Sequence, residues 1–225
     1  MSLPASTVPK IRSALDGGPR ADLRKPDASQ RSVPPADFVV DEIGLSIRGE
    51  RIDVTSKNGE RELEEVVARL SSGRAAVSVL AAPGARERWV TALVQALGRT
   101  GVEQVVVSTP ISGAAEPPPT LNLSPLGQIP MHEDRCGVRL TVKTDNAGEL
   151  KYLQKGPVRR IPQGGAGPDI SPALEEMRAR MKGCGSTLWM IVGEGAALWG
   201  PAFNIGRDVT NAAEIPGARR YIMLL

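Results

Sequence analysis

From residue 38 the chain alternates between two hydrophobic rhythms. Phe38-Val39-Val40 is followed by Ile43, Leu45 and Ile47 alternating with Gly44, Ser46 and Arg48, the two-residue period of a half-buried strand. Gly49-Glu50 reads as a turn, and Ile52 and Val54 alternating with Asp53 and Thr55 supply the second strand of a hairpin. At Gly59 the period changes. Leu63, Val66, Val67 and Leu70 fall at i, i+3, i+4 and i+7, with Glu60, Glu62, Glu64 and Glu65 in the early turns, where the helix dipole favours carboxylates. The helix ends near Gly73. Residues 75–82 (AAVSVLAA) are small and apolar, as expected of a strand buried on both faces. After Pro83-Gly84, Val90, Leu93, Val94 and Leu97 mark a second helix closed by Gly98 and Gly101, and residues 104–109 (QVVVST) form a last strand.

The same order, β-β-α-β-α-β, then recurs. Val138, Leu140 and Val142 alternate with Arg139, Thr141 and Lys143; Asp145-Asn146-Ala147-Gly148 turns the chain; residues 152–161 give a second strand broken at Gly156-Pro157. Ser171 before Pro172 is a helix start, with Leu174, Met177 and Met181 as its buried stripe. Residues 187–192 (TLWMIV) read as a buried strand, 202–215 as a weaker helix stopped by Pro216-Gly217, and 219–225 (RRYIMLL) as a terminal strand. Aligning Gly101 with Gly217 at an offset of 116 places Leu93 on Val209. The fold class expected is α/β (α+β): two similar β-β-α-β-α-β units, each a small mixed sheet with two helices on one face.

Composition divides the chain further. Twelve of its 19 prolines lie in residues 1–36 and 110–130. The expected organisation is therefore a flexible, Pro-rich, basic leader (1–37), a first domain (38–109), a Pro-rich linker (110–135) and a second, divergent domain (136–225). Residues 1–36 hold six Lys and Arg against three Asp, so they carry the whole net charge of +3. Basic charge on a leader, with few aromatics, does not make a nucleic-acid surface. No run approaches a membrane span, and the first 30 residues lack the apolar core of a signal peptide. Cys136 and Cys184, 48 apart, are either two separate buried thiols or one disulfide.

Catalytic chemistry finds little to use. His132, the single histidine, sits in the connector beside Glu133 and Asp134, and no G-x-S-x-G elbow supplies a nucleophile. The 81–86 turn (AAPGAR) lies where a phosphate loop would, without its second Gly or Lys-Ser/Thr; Gly193-Glu194-Gly195 resembles G-x-G-x-x-G only in its first pair. Too few soft ligands stand together for zinc. The expectation is a protein that is not an enzyme, with no catalytic residue, metal or cofactor. Trp199 is either exposed as a partner anchor or packed inside. The terminal strand, with Arg219, Arg220, Tyr221 and Met223, is either central in its sheet or an edge able to accept another strand, giving a homodimer or a β-augmented complex.

One family resemblance attaches to these residues. The Leu- and Glu-rich helix at 62–70, the helix, Gly turn and strand at 90–107 (VTALVQALGRTGVEQVVV) and Leu3-Pro4-Ala5-Ser6 are similar to the periplasmic domain of ExbD/TolR proteins of biopolymer transport. The resemblance covers 38–109, with 138–225 as a divergent tandem copy. It implies a protein-protein interaction module of a transmembrane transport complex, on the periplasmic side of the inner membrane. Its partners would be ExbB/TolQ-like and TonB/TolA-like proteins or the cell wall. The family's transmembrane helix and its proton-transferring Asp have no match in this chain, and Pro83-Gly84-Ala85 replaces the Asp-containing position after the middle strand. Without a signal peptide or anchor, a cytoplasmic location is the alternative. The competing function is a soluble α/β protein binding a small molecule or nucleotide at the 83–86 or 193–200 loops.

Overall fold

The computed structural model describes residues 36–54, 56–111, 113, 117–129, 135–153, 158–164, 167–180, 182–212 and 219–225. Nearly all of the expected leader, His132 and the Gly156-Pro157 break lie outside them. In chain order the elements are β1 (Phe38–Val40), β2 (Leu45–Ile47), β3 (Glu50–Ile52), α1 (Lys57–Ser71), β4 (Ala76–Ala81), α2 (Glu87–Arg99), β5 (Gln104–Ser108), β6 (Thr120–Leu123), β7 (Arg135–Val142), β8 (Gly148–Tyr152), β9 (Arg159–Ile161), α3 (Ser171–Arg180), β10 (Ser186–Gly193), α4 (Trp199–Asn211) and β11 (Arg219–Leu224). The fold is mixed α/β, in two similar halves. One sheet runs β3-β2-β1-β4-β5-β6 and the other β11-β10-β7-β8-β9. Read in the corresponding direction, the second repeats the first five strands of the first, with β1, β4 and β5 parallel and matched by β7, β10 and β11.

Each half opens with a three-stranded meander, one strand more than the hydrophobic rhythm predicts. The expected strand through Ile43 breaks because the Asp41 carboxylate accepts from the backbone N–H groups of Ile43 (2.8 Å) and Gly44 (2.9 Å), folding the chain back on itself. Ile43 is left exposed. Ser56 caps α1, its hydroxyl accepting from Gly59 N–H at 3.0 Å. Position 59 admits only glycine, since an added Cβ would stand 1.5 Å from the Asp53 carbonyl oxygen. Burial alternates along β4, with Val77, Val79 and Ala81 inside and Ser78 and Leu80 half-exposed, so this strand is covered on one face and not on both as expected. In the second half, the Glu176 carboxylate on α3 ties that helix to the sheet by pairing with Arg159 of β9, and it also pairs with Arg180 one turn along its own helix (2.9 Å).

The segment expected as a linker is partly structure. Thr120–Leu123 pairs antiparallel with β5, placing Leu121 beside Val107 and Leu123 beside Val105. Both leucines are buried, and Leu121 presses on α4 where Gly206 leaves room; a Cβ there would lie 2.4 Å from its methyl. Pro125 covers Gly98 of α2 in the same way, and Ser124 N–H donates to the Ile222 carbonyl of β11 at 2.7 Å. The two halves therefore share one hydrophobic core, and the described residues make a single compact unit. Cys136 and Cys184 form a disulfide, Cα–Cα 5.9 Å, fastening the start of β7 to the turn after α3.

Candidate functional site

Two surfaces stand out: the junction between the halves and the open face of the second sheet. At the junction the loops entering α2 and α4 meet head to head. Glu87 N–H donates to the Ala197 carbonyl (3.0 Å) and Trp199 N–H to the Ala85 carbonyl (2.8 Å), a reciprocal pair around Arg86 and Leu198. Gly200 N–H adds a bond to Pro83 O at 2.8 Å. Glu87 and Trp199 are the first residues of helices that correspond at an offset of 112. Val90, Leu93, Val94 and Leu97 then match the buried Ala202, Ile205, Gly206 and Val209. Leu93 and Val209 are both buried, as expected, but they are not equivalent: Leu93 takes the place of Ile205.

Each of these first helical residues reaches across the junction. The Trp199 indole, fully buried, donates through Nε1 to Thr109 Oγ1 at 2.8 Å. Glu87 accepts from the Thr91 hydroxyl at 2.7 Å and from the backbone N–H of Gly193. A Cβ on residue 193 would lie 2.3 Å from the Glu87 carboxylate. Burial pushes the Glu87 carboxyl up to about 7, outweighing the two donors that favour its charged form. In open α/β sheets the crevice beyond the carboxyl ends of parallel strands is the usual ligand site. Here the helix-entry loops of the two halves bond to each other at that end.

The second sheet's open face is different in character. A groove of about 540 Å³ runs along β7 and β8, bordered by Arg139, Thr141, Lys143, Glu149, Lys151 and the Gly193–Gly195 turn. Arg139 and Lys151 are direct cross-strand partners, and both are exposed. Lys143 pairs with Glu149 at 3.5 Å, and Glu194 stands exposed at the far end. Toward β11 the same face becomes apolar, where Leu188, Met190 and Met223 are covered by Ile129 and Tyr221. A smaller cavity of about 220 Å³ lies by the first meander, between Ile43, Arg51 and Trp89.

The residues expected to bind partners scatter. Trp199 is interior and cannot serve as a surface anchor. Arg220 donates to the carbonyls of Val209 (2.5 Å), Thr210 (2.8 Å) and Ala212 (3.3 Å), closing the C-terminal end of α4. Met223 is buried and Tyr221 half-buried; Arg219 alone of the five is fully on the surface. β11 is an edge strand of its sheet, and Ser124 meets its outer side. Glu87, Gly193, Arg139 and Lys151 carry the two surfaces instead. The last two were within reach of the sequence, since a hairpin turning at 145–148 places 139 near 151. Glu87 was not, because a carboxylate opening a helix ordinarily faces solvent.

Among the described residues no group of His, Cys, Asp and Glu is arranged to hold a metal ion. Among the same residues no helix is long and apolar enough to cross a membrane. The class these features define is a mixed α/β chain of two similar halves, joined head to head where α2 and α4 begin. No family model, curated protein or solved structure matches the chain.

Proposed function

We propose that the chain is a non-catalytic protein-interaction module, acting as the extramembrane domain of an ExbD/TolR-type transport complex does. The observation that carries this reading is the head-to-head junction. It occupies the strand ends where a small molecule or nucleotide would bind, and it uses the N–H groups of Glu87 and Trp199 that a phosphate would need. What stays open is sheet face and strand edge, the surfaces that proteins use for one another. The Cys136–Cys184 disulfide supports an oxidising compartment such as the periplasm.

The test is titration of the full chain against the periplasmic segments of TonB/TolA-like and ExbB/TolQ-like proteins and against purified cell wall. A transient module binds at least one of them with a dissociation constant of about micromolar order. No binding to any of them, together with a nucleotide-dependent rise in Tm, would replace this reading with the small-molecule one.

A further inference from the structure

The duplication supplies an internal control for surface charge. Val40 and Val142 hold the same place in the two halves, accepting from Ala82 N–H and Glu194 N–H respectively. Counting back along β1 and β7, Asp37 falls on Arg139; across the hairpins, Arg48 falls on Lys151. In the first half the cross-strand pair is itself neutral, Asp37 standing against Arg48 at 3.9 Å, and the same carboxylate also pairs with Arg74. In the second, two cations face each other across neighbouring strands, and among the described residues neither has an ion-pair partner. Like charges placed directly opposite destabilise a sheet. The fold therefore tolerates at 139 and 151 a repulsion that its own other copy relieves.

The surroundings say what would relieve it. The groove extends from Arg139 past Thr141 to Lys143, about 13 Å of extended chain at the usual strand rise. Glu149 is engaged by Lys143, so the uncompensated charge lies at the Arg139 end. Beside it Leu153 and Val158 are half-exposed at 51% and 52%, Leu153 lying over Gly137. The residue 1–36 segment is itself net basic and does not supply the missing anion.

We infer that this groove docks an acidic, extended segment of a partner protein, with its carboxylates on Arg139 and Lys151 and its apolar side chains on Leu153 and Val158. The inference rests on the reading of the chain as an interaction module and names the chemistry of its partner. The same inter-strand pair that costs the free protein stability then becomes two charge-assisted contacts in the complex.

The probe is a fluorescein-labelled octapeptide alternating Glu and Val, with its Gln-Val counterpart as control, read by anisotropy on the full chain. The expected result is salt-sensitive binding of the acidic peptide, with the Gln peptide weaker by about tenfold or more. Arg139→Asp recreates the first half's ion pair, so it should hold or raise Tm while weakening the acidic peptide by about tenfold. Lys151→Gln gives the same loss without reversing charge. A folded Arg139→Asp or Lys151→Gln protein that binds the peptide unchanged would overturn the site. So would displacement of the peptide by millimolar inorganic phosphate, which would make the groove a small-anion site, or self-association lost in either variant, which would make a second copy the occupant. If the peptide fails while the TonB/TolA-like segment still binds, the groove assignment falls and the module stands; if both fail, the module reading falls with it.

Discussion

Glu87 is the residue on which the two halves' agreement with each other can be read as a function of pH. Its carboxyl titrates near 7 in the folded chain because burial disfavours the charge, against an ordinary value of 4.5. A raised carboxyl pKa means that the folded state holds the proton more tightly than the unfolded one. The stabilisation is therefore complete below about pH 4.5, declines as pH rises, and is gone above about 7, a change of roughly 3 kcal/mol at most. Glu87→Gln keeps a side-chain oxygen to accept from Gly193 N–H or the Thr91 hydroxyl, and has no proton to titrate. Its Tm should match wild type near pH 5 and exceed it at pH 8; parallel Tm–pH curves for the two proteins would show that Glu87 is not the titrating group.

At the scale of elements, the disulfide and β6 do what sequence spacing alone does not announce. Cys136 and Cys184 close a loop of 48 residues that contains β8, β9 and α3. The chain-entropy estimate for that closure is about 4 kcal/mol, so replacing both with Ser, or reducing the protein, should lower Tm markedly at unchanged far-UV circular dichroism. An unchanged Tm after confirmed reduction would contradict it. The helices and most strands were legible because their apolar residues recur with a clear period. β6 was hidden: Leu121 and Leu123 alternate with Thr120 and Asn122, but prolines at 117–119 and 125 mark the segment as a linker. Register was hidden too. Pairing β4 with β5 and β10 with β11 puts Ser108 opposite Leu80, and by the same count Leu225 beyond Val192, an offset of 117 where the end-to-end alignment gives 116. Periodicity fixes which residues share a face, and a slip of one residue exchanges the faces. Only the turn lengths, which differ between the halves, settle the phase.

For the molecule as a whole, the shared core decides how it comes apart. Leu121 belongs to the first sheet by hydrogen bonds and to the second half by its contact with Gly206. Leu121→Ala should cost about 2–5 kcal/mol and lower the stability of both halves together, in one transition that coincides by tryptophan fluorescence and circular dichroism. Two separated transitions, with only one shifted by the substitution, would mean that the halves are independent.

The reciprocal junction has a consequence for how such a protein can change over evolutionary time. In a twofold homodimer every substitution is made twice, so a cation placed opposite Lys151 would appear on both copies and its cost would double. Two similar halves within one chain are free of that constraint. Glu87 stands where the other half has Trp199, and Asp37 where it has Arg139. With Asp37 at a sheet position in one half and Arg139 at the matching position in the other, the molecule has a front and a back that differ in charge although the two halves share one fold.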